Sequence, residues 1–69
     1  MPLGMSGVGD TNIIRKITGR DEVRQHLAEL GFVVGEAVTV VSELGGSLIL
    51  SVKDSRIALD RGMAMRIIV

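Results

Sequence analysis

LAELGFVVGEAVTVV, residues Leu27 to Val41, joins the end of an amphipathic helix, a glycine stop, a tight glycine turn and an alternating strand. Almost nothing lies between these features. Such compression marks a small β-barrel in which a short helix plugs the gap between strands. The stretch carries no row of catalytic side chains, so it points to a docking or regulatory module rather than an enzyme.

Working back from Leu27, Val23, Leu27 and Leu30 recur at i, i+4 and i+7, one apolar stripe of a helix about ten residues long. Asp21 is placed to cap its N-terminus, and Gly31 stands where a helix end needs a left-handed residue. So short a helix is marginal alone and must be held by packing its stripe onto a sheet. Before it, Thr18-Gly19-Arg20 breaks the pattern of a first strand drawn from Val8 to Ile17. Strand parity would set Ile13 and Ile17 on one face and Ile14 on the other. Residues 1–7 contain Pro2 and two glycines and read as an irregular lead-in with Leu3 as an anchor.

Forward from the glycine turn, Glu36 to Glu43 alternates, with Val38 and Val40 on one face and Ala37, Thr39 and Val41 on the other. Gly45-Gly46 supplies the positive φ angles of a tight hairpin, and Leu48, Leu50 and Val52 alternate on the return strand. Asp54-Ser55 signals a second turn before a strand carrying Ile57 and Leu59. Asp60 to Met65 suits a single helical turn, and Arg66 to Val69 a closing strand. About five short strands and one short helix give a mainly β fold, a small, partly open barrel of SH3-like type. Residues 1–69 form one domain.

Composition narrows the function classes. A 69-residue chain without cysteine has neither disulfides nor thiolate metal sites to support it. Its 46% hydrophobic content is nearly all aliphatic, with Phe32 the one aromatic, so burial must hold the fold. Eight Lys plus Arg balance eight Asp plus Glu, which lacks the basic excess of a phosphate-binding surface, and no nucleic acid is expected. Base stacking and polyproline grooves both need aromatic platforms that one Phe does not provide. No apolar run approaches the roughly 20 residues of a membrane span, and the start lacks a secretory pattern. A cytoplasmic protein without direct membrane insertion is the expectation.

Taken in order, the LAELGF helix end (Leu27 to Phe32), Gly35, the VTVV strand (Val38 to Val41) and the Leu44-Gly45-Gly46 hairpin form a set with SRIAL (Ser55 to Leu59) and the terminal RIIV (Arg66 to Val69). In this the chain resembles the FeoA family, small accessory proteins of bacterial ferrous iron uptake. Members often carry proline before the turn glycine, where this chain has Val34. The resemblance implies an SH3-like fold shared with the C-terminal domain of iron-dependent repressors. It also implies a non-enzymatic role: docking on the cytosolic GTP-binding region of the FeoB-type ferrous iron permease to support or regulate transport. No nucleotide-binding signature is present, so any GTP chemistry would belong to the partner.

Among docking positions, the helix end and the loop after it stand out, namely Leu30, Phe32, Val33 and Val34. Phe32 is expected to be mostly buried, with Val33 or Val34 partly exposed. Glu22, His26 and Glu29 fall on one helix flank at i, i+4 and i+7. Oxygen and nitrogen ligands of that kind suit ferrous iron or another divalent transition metal, although the flank lies about 100° from the apolar stripe and a solvated face is the plainer reading. No cofactor is required. Met63 or Met65 is expected to fill the core under the barrel mouth. Six arginines against two lysines suit planar recognition of carboxylates, on a partner or on the domain itself.

Two other classes compete with the docking role. One is an iron-linked regulatory module acting on a repressor through acidic ligands such as Glu22, Glu29 or Glu36. The other is a nucleic-acid or ribosome-binding small barrel, against which the neutral charge weighs. Exposed sheet edges and aliphatic patches also allow a homo-oligomer.

Overall fold

The computed structural model describes all 69 residues, Met1–Val69. After a one-turn 3-10 helix at Leu3–Met5 come β1 (Thr11–Ile13), β2 (Lys16–Ile17), α1 (Asp21–Glu29), β3 (Ala37–Leu44), β4 (Ser47–Val52), β5 (Ser55–Asp60), α2 (Arg61–Ala64) and β6 (Ile67–Ile68). The strands form two antiparallel sheets, β1-β3-β4-β5 and β2-β6, which do not close into a continuous barrel. The expected mainly β, SH3-like open barrel with one main helix is therefore the observed one, with six strands.

The helix end is built by backbone bonding as well as burial. Phe32 N–H donates to the Leu27 carbonyl and Gly31 N–H to that of Ala28. Gly31 holds φ +106°. These are the two bonds of a Schellman stop, in which a left-handed glycine turns the chain back onto carbonyls the helix would leave free. Leu27 and Phe32, joined by the first of these bonds, are both fully buried in one apolar cluster. Val23 and Leu30 pack against its margin. At the other end Arg20, not Asp21, occupies the capping position. Asp21 lies in the first turn, where its carboxylate still favours the free amides and pairs with Arg24.

Val38 and Val40 of β3 and Leu48, Leu50 and Val52 of β4 all face the core, as their alternation requires. A bulge between Val40 and Ser42 takes Val41 out of register with β4. Gly45, at φ +62°, makes the β3–β4 turn. The β4–β5 turn falls one residue earlier than Asp54-Ser55: Val52 pairs with Ser55, and Lys53 and Asp54 take φ of +50° and +63°. Two successive left-handed residues define a type I′ turn, which Asn-Gly satisfies with less strain. Replacing Lys53-Asp54 by Asn-Gly should therefore stabilise the domain by about 1 kcal/mol, raising the thermal midpoint by about 4–8 °C in calorimetry.

Two expectations are corrected near the N-terminus. The segment Val8 to Ile17 is not one strand. The chain leaves the larger sheet after Ile13, and Arg15 N–H already donates to Ile68 of the smaller one. Ile14, at this crossover, points between the sheets and is 1% exposed, whereas Ile13 is 53% exposed. Nor are residues 1–7 irregular. Pro2 forms a bridge with Ile68, Met1 and Val69 exchange backbone bonds, and Leu3 is wholly buried. Arg61 fastens this segment, donating to the Gly4 carbonyl at 2.7 Å while paired with Glu43 at 2.8 Å. Met63 packs against the core and Met65 is the more exposed of the pair.

Candidate docking surface

The loop between α1 and β3 is anchored at both ends. Behind it stands the Schellman stop; ahead of it, Glu36 N–H donates to the Val33 carbonyl and Gly35 N–H to that of Ile14. Gly35 adopts φ +95°, a value that disfavours any side chain there. With both ends fixed and Phe32 fully buried beneath it, the loop is pushed outward at Val34, which is 65% exposed. Of the docking candidates Leu30, Phe32, Val33 and Val34, the expected burial of Phe32 and exposure at Val34 are both observed, and the structure divides the four. The Phe32 ring is interior and unavailable for contact. Leu30, the helix C-cap, is a wall of the core, and Val33 is half-buried. Val34 alone of the four is fully offered to solvent.

Ile13, which strand parity sets on the face opposite Ile14 without saying which face is inward, joins it. Ile14 N–H donates to Glu36 and its carbonyl accepts from Gly35, which draws the exposed Ile13 beside the Val34 loop. Parity allows only one of two adjacent isoleucines to face the core, but does not say which.

Glu22, His26 and Glu29 are each exposed on the outer flank of α1. Nowhere do three His, Asp or Glu side chains converge so as to hold a metal ion, and there are no thiols to substitute. The helical spacing was read correctly, but a short exposed helix brings no second element over its flank to complete a coordination shell. No pocket opens at the surface, and no helix is long and apolar enough to cross a membrane.

These features define a pocketless SH3-like module with exposed aliphatic side chains on the end of β1 and on the backbone-bonded α1–β3 loop. A family model described as the FeoA domain matches residues 1–69. A protein of Methanocaldococcus jannaschii provisionally named Fe(2+) transport protein A is 35% identical over 68 residues, which span 99% of this chain and 83% of that one. The chain belongs to the FeoA family.

Solved structures agree. An iron uptake regulatory protein (FeoA) has 35% identity and a TM-score of 0.88 over 96% of this chain and 88% of its own. The FeoA of Stenotrophomonas maltophilia, complexed with zinc and described as a prokaryotic SH3 domain protein, has 29% identity and a TM-score of 0.88 over 100% and 88%. A manganese-dependent transcriptional repressor shares the fold, with a TM-score of 0.87 at 18% identity over 97% of this chain and 39% of the repressor.

Proposed function

We propose that this chain is a cytoplasmic accessory protein of ferrous iron uptake. It acts without catalysis, by docking on the cytosolic GTP-binding region of a FeoB-type permease. The observation that carries this reading is 35% identity, over 99% of the chain, to a relative named for Fe(2+) transport. The geometry supports it: with no pocket, the surface offers contact rather than chemistry. Val34 and Ile13 form an aliphatic shoulder held by backbone bonds, so little loop ordering is left to oppose association.

The test is capture of the permease cytosolic region by the immobilised chain in its nucleotide-free, GDP-bound and GTP-bound states. Capture in at least one state is expected, and absence from all three overturns the reading. Val34→Asp should reduce affinity roughly tenfold or more, because docking would desolvate an unpaired carboxylate. Its thermal midpoint should stay near that of the parent, since Val34 buries little. Undiminished binding by both Val34→Asp and Ile13→Asp would move the contact away from this shoulder.

A further inference from the structure

The outer edge of β5 is an open strand. In the β4–β5 hairpin, Val52 pairs with Ser55, Leu50 with Ile57 and Leu48 with Leu59. The two-residue turn makes these the hydrogen-bonded pairs, so the backbone groups of Arg56, Ala58 and Asp60 point away from the sheet. The Asp60 carbonyl is committed to the first turn of α2, for which Asp60 is the N-cap. The Asp60 N–H, and both backbone groups of Arg56 and Ala58, have no partner outside the sheet ladder. The register runs unbroken for six residues, without a bulge, proline or lysine to discourage pairing.

Side chains give this edge a register of its own. Arg56, Ala58 and Asp60 are all exposed and share one face of the sheet. Neither charge has an ion-pair partner within the chain, where the pairs are Arg24–Asp21 and Arg61–Glu43. An antiparallel copy of β5 centred on Ala58 would set each Arg56 directly opposite Asp60 of the other copy, with alanine facing alanine between them. Centring on Arg56 or on Asp60 would instead set like charges directly across, which is unfavourable.

We propose that β5 is a self-association edge: two copies pair β5 to β5 about a two-fold axis through Ala58, extending the four-stranded sheet to eight. The interface is isologous, as a closed dimer requires. It comprises reciprocal Ala58 bonds, two bonds from Asp60 N–H to the Arg56 carbonyl and two crossed Arg–Asp pairs. Because the chain is formally neutral, no net repulsion opposes the approach of a second copy. The inference is independent of the permease role and lies on a different edge of the sheet from β1.

Sedimentation velocity tests it. The mass of the wild-type chain should rise from one copy towards two between about 10 μM and about 1 mM, the range suited to a small interface. Ala58→Pro should remain a single copy throughout, since proline removes the central donor without costing a bond to β4. Circular dichroism would check that it stays folded. Arg56→Asp and Asp60→Arg alone should each weaken association roughly tenfold, and the double exchange should restore it. A wild-type chain of single-copy mass at every concentration overturns the proposal. So does association indifferent to these changes, or a double exchange no better than either single one.

Discussion

Leu27→Ala should cost the domain about 2–5 kcal/mol, against a total stability of roughly 3–10 kcal/mol for a chain of this size. The expected result is a fall in thermal midpoint of about 4–8 °C for every kcal/mol, enough to leave much of the protein unfolded near body temperature. Leu27 is wholly buried, and its carbonyl accepts from both Leu30 and Phe32 at the helix stop. Alanine keeps those backbone bonds and the helix propensity. The loss therefore reports the cavity left between α1 and the sheet. Glu29→Ala, on the exposed side of the same helix, should change stability by less than about 0.5 kcal/mol. Urea melts of the two variants provide the comparison, and equal midpoints would mean that α1 is not held by its apolar stripe.

The parts of this fold that were legible in the sequence are those fixed by local rules. The LAELGF stop could be read because one glycine and two flanking apolar residues suffice to specify a Schellman turn. Val38, Val40, Leu48, Leu50 and Val52 could be read because alternation leaves a strand only one inward face. Val8 to Ile17 could not, since Ile13 and Ile14 are adjacent and chemically identical. Which of them faces inward depends on where the chain passes from one sheet to the other, and that is set by Gly35, Glu36 and Ile68. The same distinction runs through the docking surface. Burial of Phe32 and exposure at Val34 were legible from the helix stop and the glycine turn, while the approach of Ile13 is a tertiary outcome. For Glu22, His26 and Glu29, the helical spacing put them on one flank and the offset from the apolar stripe made a solvated face the plainer reading; all three are exposed.

Leu3→Ala should be nearly as damaging as Leu27→Ala, at about 2–5 kcal/mol, although only Leu3 itself stood out as an anchor in what read as an irregular lead-in. Leu3 is wholly buried at the end of the barrel, on a one-turn helix packed against α2 and β6. The partners that hold this turn lie near the opposite end of the sequence: Ile68 in a bridge with Pro2, Val69 bonded to Met1, and Arg61 bonded to Gly4. Packing is tight as well, since a Cβ on Gly4 would come within 2.7 Å of the Met65 sulfur. A three-residue helix has no stability of its own, so the segment is ordered only by filling the space that Leu3 occupies. Arg61→Met separates the two contributions: it keeps an apolar stem but removes the donor to Gly4 and the ion pair with Glu43. It should cost about 1–3 kcal/mol, less than the loss of Leu3. Amide exchange at Val69, whose N–H bonds to Met1, should quicken in both variants, more in Leu3→Ala. If Leu3→Ala melts with the parent and leaves Val69 protected, the first turn is an ornament on the barrel, not part of its core.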